Sequence, residues 1–197
     1  MEYAEGDLAR FCVVGLGNPG EEYNGTRHNV GFEVVDTVAA RAAIDIRRPE
    51  FRALTAAVRI CRSMVIVMKP QEYMNCSGRS VADALGALGI PASGLVVVHD
   101  DLDLPLGRLR IRVGGGSGGH RGVASVLEEV GDDRFVRVRV GVGRPAPGIP
   151  TVEYVLTPFT KAEADEAAQA VSRAADAVTT IVCECPQAAM EKFNRAV

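Results

Sequence analysis

The chain of 197 residues is 47% hydrophobic and 24% charged, enough apolar material for one sizeable core without requiring a second domain. Its 21 Gly and 10 Pro lie near ordinary usage, which excludes fibrous and low-complexity chains. A net charge of −3 excludes a uniformly basic nucleic-acid binder, but residues 106–150 hold eight Arg against four acids, a +4 segment on a −7 body.

Residues 1–10 form an N-terminal extension with Glu2, Glu5 and Asp7 and no apolar stretch, so no secretion signal is expected. The longest apolar runs, such as residues 64–68, are strand-sized, and no membrane span is expected. Residues 11–14 read as a buried strand, followed by the turn signals Gly17-Asn18-Pro19-Gly20 and Asn24-Gly25. Val30, Val34, Val35 and Val38 recur at helical spacing from about Asn29, and that helix should stop before Pro49. Residues 53–60 and 63–68 read as two strands joined by a turn near Arg62. A loop at 71–75 leads into a helix with Val81, Leu85 and Leu88 on one face, closed by Gly89 and Pro91, after which residues 95–98 resume the sheet.

Residues 108–113 and 135–142 alternate Arg with apolar residues, the period of half-buried strands with Arg on one face. Such a face either keeps a sheet edge soluble or forms a basic patch, and the spacing is equally compatible with both. Between the two strands, Val123, Val126, Leu127 and Val130 form a helical stripe ended by Gly131 and preceded by the glycine run around Ser117 and by His120. A last helix is expected from Thr160, with Thr160 and Glu163 as a capping box and Ala164, Ala167, Val171, Ala174, Val178 and Ile181 as its stripe. Interleaved strands and helices give one α/β domain over residues 11–197, a mixed sheet with helices on both faces. Its ligand crevice belongs at the carboxyl ends of the strands.

Two familiar motifs are weak in this context. Gly15-Leu16-Gly17-Asn18-Pro19-Gly20 fits G-x-G-x-x-G, with Asp36 at a distance suited to a ribose. Pyrophosphate binding needs a helix N-terminus at that loop, whereas the chain keeps turning through Asn24-Gly25, so a nicotinamide cofactor is not expected. Gly115-Gly116-Ser117-Gly118-Gly119 fits a nucleophile elbow, but no His follows His120 to complete a triad. Five Cys (Cys12, Cys61, Cys76, Cys183, Cys185) without a C-x-x-C indicate neither a disulfide framework nor a four-thiolate zinc site, and free thiols are expected. A metal cluster of His99, Asp100, Asp101 and Asp103 is disfavoured, because strand alternation sends Asp100 to the face opposite His99 and Asp101.

His28, in Thr26-Arg27-His28-Asn29 before a helix, and Asp100, at a strand end, are the residue types of a general base and its orienting carboxylate. Together with Gly15–Gly20, these residues join Met74-Asn75-Cys76-Ser77-Gly78, His99-Asp100-Asp101-Leu102-Asp103-Leu104-Pro105 and the Gly114–Gly122 run through His120-Arg121 in an ordered set. The set resembles the signatures of bacterial-type peptidyl-tRNA hydrolases over about residues 10–195. The resemblance implies a monomeric, cytoplasmic esterase without metal or cofactor, freeing tRNA from peptides left by aborted translation. It implies His28 as the base that activates water, Asp100 as its orienter, and Asn18 as a substrate contact near the ester. It places Tyr23, Tyr73 and Asn75 along the cleft and gives Arg112 and Arg139 the tRNA 5′ phosphate. Arg121 stands where the family usually has Asn, replacing an amide with a longer cation that remains a candidate substrate contact. The alternative is a non-catalytic RNA-binding module, like the plant organellar splicing factors that resemble this family.

Overall fold

The computed structural model describes residues 9–195. Seven strands form one mixed sheet in the order β2-β3-β4-β1-β5-β7-β6. They are β1 (Ala9–Gly15), β2 (Arg48–Glu50), β3 (Ala53–Ile60), β4 (Ser63–Pro70), β5 (Leu95–Asp101), β6 (Leu109–Val113) and β7 (Val136–Gly141). The four central strands, β4, β1, β5 and β7, are parallel, while β2, β3 and β6 pair antiparallel at the two edges. The expected extension lies outside the described residues up to position 8, and Ala9 with Arg10 already belongs to β1.

The helices are α1 (Val30–Ala40), α2 (Ser77–Leu88), α3 (Arg121–Val130), α4 (Thr151–Val155), α5 (Ala164–Cys183) and α6 (Pro186–Phe193). Strand alternation splits the core in two. Val13, Val96, Val98 and Val138 point to the face covered by α1, α5 and α6, whereas Val14, Leu95 and Val97 pack under α2 and α3. Helices therefore cover both faces of a single α/β domain. Among the described residues no helix is long and apolar enough to cross a membrane.

The glycines of the first loop serve packing. A Cβ on Gly31 would collide with the carbonyls of Leu16 and Val98, and one on Gly15 with the carbonyl of Gly31, so α1 rests directly on the sheet. After β1 the chain makes two single turns of 3-10 helix, Glu21–Tyr23 and Arg27–Asn29, before α1 starts. The helix N-terminus that pyrophosphate needs is therefore absent at Gly17, and Asp36 pairs instead with Lys69 at 2.8 Å.

Two expectations are corrected. Cys61, in the β3–β4 turn, and Cys183, at the end of α5, form a disulfide with Cα atoms 5.7 Å apart, leaving Cys12, Cys76 and Cys185 as free thiols. The partners are 122 residues apart in the chain, so spacing alone could not pair them. The two strands that alternate Arg with apolar residues are also less solvated than alternation implies: on β7, Arg137 is buried and Arg139 half-buried, and of the two only β6 carries exposed Arg.

Candidate active site

The cleft lies at the carboxyl ends of the parallel strands and has a volume of about 700 Å³. Its wall includes Asn18 after β1, His28 before α1, Tyr73 to Asn75 after β4, His99 to Asp103 at the end of β5, and His120 at the start of α3.

Asp100 is its central group. Its Oδ1 lies 2.8 Å from His28 Nδ1 and 2.8 Å from His120 Nε2. Alternation directs Asp100 toward the α1 face, where His28 waits on the turn before α1, while His120 begins α3 on the other face. The carboxylate at the end of β5 thus links elements from both sides of the sheet. Burial would push its carboxyl up, but the two imidazole donors outweigh burial and hold it well below the usual carboxylate range.

An ionised Asp100 fixes both tautomers, since a carboxylate only accepts. His28 donates through Nδ1–H, leaving Nε2 as the lone-pair nitrogen of a ring that lines the cleft. His120 donates through Nε2–H, and its Nδ1 accepts from the Val123 N–H at 3.2 Å, capping α3. His120 is a site residue that motif reading left without a role, although its position three residues ahead of Val123, the first of the α3 stripe, is that of an N-cap. Facing ligand atoms of His28, Asp100 and His120 lie within 4.8 Å of one another. A metal on His120 Nε2 would move that ring's proton to Nδ1, against the Val123 N–H, so the donor set fits a hydrogen-bonded relay and not a resident metal.

Asn18 is held just as firmly. Its Oδ1 accepts from the Met74 N–H at 2.8 Å, which directs the amide nitrogen elsewhere, and its own N–H and C=O are bonded by the side chain of Asn29. Asn29 and Met74 are therefore supports that motif reading passed over. Asn75 and the exposed Tyr73 line the cleft as expected, whereas Tyr23 lies off its wall and uses its carbonyl to accept from Thr26.

The Arg positions converge on one side of the same cleft. Across the β6–β7 ladder Arg110 faces Arg139 and Arg112 faces Arg137, like charges in opposition that cost stability unless an anion or acceptor compensates. Arg137 spends its guanidinium on the carbonyls of Gly114 and Gly116 and so shapes the glycine loop. Burial, followed by Arg112 and Arg139, pushes its pKa down. Arg139 bonds Asp101 through Nε. Arg112 and Arg121 line the cleft with no hydrogen-bond or ion-pair partner among the described residues.

The family model for peptidyl-tRNA hydrolase matches residues 12–197. The chain belongs to the peptidyl-tRNA hydrolase family. It is 45% identical to a peptidyl-tRNA hydrolase of Carboxydothermus hydrogenoformans, covering 94% of this chain and 98% of that one, and 42% identical to that of Citrifermentans bemidjiense, covering 95% and 99%. The crystal structure of peptidyl-tRNA hydrolase from Acinetobacter baumannii superposes with a TM-score of 0.88 at 32% identity, covering 95% of each chain. Agreement over nearly the whole length of these hydrolases extends to the mixed sheet that carries the cleft.

Proposed function

We propose that the protein hydrolyses the ester between the peptide carboxyl and the 3′ ribose of peptidyl-tRNA, with His28 as general base and without a covalent enzyme intermediate. The observation that carries this reading is the His28–Asp100–His120 relay built on a buried carboxylate, which leaves one lone-pair nitrogen on a ring that lines the cleft.

Water gives a proton to His28 Nε2 as its oxygen attacks the ester carbonyl. The imidazolium so formed is stabilised by Asp100, which is already ionised and already aligned. The tetrahedral oxyanion needs a donor, and the Asn18 amide nitrogen is free for this because Oδ1 is committed to Met74. Collapse expels the ribose 3′ oxygen, which recovers the proton from His28. Tyr73 and Asn75 border the path of the peptide and the tRNA 3′ end; Arg112 and Arg139 hold the 5′ phosphate, and Arg121 adds a cation at the cleft. The protein acts on this substrate as a monomer in the cytoplasm, where translation leaves peptidyl-tRNA. A pure RNA-binding module has no use for a buried carboxylate that fixes two imidazole tautomers, so the hydrolytic reading is preferred.

The test is release of tRNA from N-acetyl-aminoacyl-tRNA in the presence of chelator, beside the same tRNA with a free α-amino group. Wild-type protein cleaves the blocked substrate selectively, and His28→Ala lowers turnover by about 10²- to 10⁴-fold, the usual worth of a positioned base, while tRNA binding persists. Undiminished cleavage by His28→Ala removes His28 from the mechanism.

A further inference from the structure

Asp101 follows the catalytic carboxylate on β5, and its side chain turns to the opposite face, toward the Arg stripe. Its Oδ2 accepts from Arg139 Nε, and its Oδ1 accepts from the Asp103 N–H at 2.8 Å. Both carboxylate oxygens are thus engaged, one tying the side chain to its own backbone turn and the other to the guanidinium. The pair is largely shielded, with 9% of the Asp101 side chain and 22% of the Arg139 side chain exposed. Arg139 sits on β7 opposite His99, and Asp101 opposite Gly141, so adjacent positions of the two parallel strands hold the pair in register.

The contact uses Nε and leaves the two terminal nitrogens of Arg139 without a hydrogen-bond or ion-pair partner among the described residues. A guanidinium held at Nε keeps its outer fork free for bidentate contact with a phosphate, and the side-chain entropy of aiming it is already spent. We propose that Asp101 is a positioning residue that aims the Arg139 fork at the tRNA 5′ phosphate. This rests on the reading of Arg139 as a phosphate ligand. It also makes β5 a carrier of two settings, Asp100 for the water-activating base and Asp101 for the phosphate contact.

Two opposite effects follow from removing the carboxylate, which makes the role decidable. If Asp101 only competes with the phosphate for Arg139, its loss tightens phosphate binding; if it aims the fork, its loss weakens it. KM and kcat are measured for N-acetyl-aminoacyl-tRNA with and without its 5′ phosphate, using wild type, Arg139→Ala, Arg139→Lys, Asp101→Ala and Asp101→Asn. Wild type favours the phosphorylated substrate by roughly tenfold in KM, in keeping with one charge-assisted contact, and Arg139→Ala abolishes the preference. Asp101→Ala loses most of it, through KM for the phosphorylated substrate alone, whereas Asp101→Asn, whose amide oxygen still accepts from Nε, retains most of it. Arg139→Lys, which keeps the charge but has no fork to aim, loses it and tests the idea even where Asp101→Ala folds poorly.

A stronger phosphate preference in Asp101→Ala, an equal loss on both substrates, or full preference in Arg139→Lys overturns the role of Asp101 while leaving Arg139 as the ligand. No preference in wild type and no effect of Arg139→Ala overturns the phosphate reading itself, and the role of Asp101 with it.

Discussion

His99 stands one residue before the Asp100 carboxylate, yet its place in the fold is that of a neutral ring. It is buried, its Nδ1 donates to the Asp100 carbonyl at 2.7 Å, and its ring lies edge-on to His120 at 4.7 Å between centroids. Burial first, and the neighbouring His120 second, push it from 6.5 down to about 3. Between those values the unfolded chain takes up a proton that the folded chain refuses, so this ring contributes no penalty above pH 6.5 and destabilises the fold increasingly as pH falls toward 3. The slope is up to about 1.4 kcal/mol per pH unit. Asp100, held low, adds its own loss as pH falls through the ordinary carboxylate value of 3.8, where the unfolded chain takes up a proton that the folded chain refuses. His99→Asn, whose amide can take over the donation to the Asp100 carbonyl, should flatten melting temperature between pH 6.5 and 4. The same slope in wild type and variant would refute the assignment. His28 and Asp100 were legible in the sequence because their residue types announce their chemistry. His120, Asn29 and Met74 were not, because Met74 acts through its own N–H, the Asn29 side chain acts on the backbone of Asn18, and His120 combines an orienting bond with a helix cap.

At the scale of elements, the long periodic pieces were readable and the short ones were not. α1, α2 and α3 carry their stripes and stops locally, through Val30, Val34, Val35 and Val38 in the first and Gly89 and Gly131 at the ends of the others. Of the capping box expected at Thr160 only one half is present, the Thr160 N–H bonded to the Glu163 carboxylate at 2.7 Å, and α5 begins at Ala164 with Glu163 in the N-cap position. β2, α4 and α6 have three, five and eight residues, and α4 in particular depends on a distant side chain. Arg27 is buried beside His28. It donates to the carbonyls of Thr157 and Pro158 and the Thr157 hydroxyl, pairs with Glu163 at 2.7 Å, and lies over the Tyr154 ring at 4.3 Å. The turn that carries His28 is thereby fastened to the Thr151–Val155 wall of the cleft. Arg27→Met leaves several acceptors and a carboxylate without their donor, at a cost of about 3 kcal/mol. Its melting temperature should drop and protease cutting should concentrate in residues 143–163. A variant that melts like wild type and resists cutting there would show that the wall stands without Arg27.

At the scale of the whole molecule, Arg112, Arg121, Arg137, Arg139 and Arg144 of the basic segment line the cleft beside Asp100, Asp101 and Asp103. Residues 106–150 are +4 and the remainder −7, so attraction for RNA is local and distant parts of the fold oppose non-specific adhesion. In the opposed pairs Arg110/Arg139 and Arg112/Arg137, Asp101 and the Gly114 and Gly116 carbonyls already hold Arg139 and Arg137, while Arg110 and Arg112 stay exposed at the edge strand. Binding of tRNA should therefore weaken with salt in proportion to the few phosphates this stripe contacts. For contacts from Arg112, Arg121 and Arg139 the slope of log K against log salt is about −2 to −3. His28→Ala protein, whose turnover is expected to be lower by about 10²- to 10⁴-fold, is the right background for measuring it. Adding Arg112→Ala should reduce the slope by about one, with a similar loss for every tRNA. Arg134, exposed and paired with Asp132 at 2.6 Å away from the cleft wall, provides the matched control. Removing it takes one positive charge from the same segment and should leave the slope unchanged. If Arg134→Ala lowers the slope as much as Arg112→Ala does, net charge alone governs binding, and the arrangement of Arg across β6 and β7 has no part in recognition.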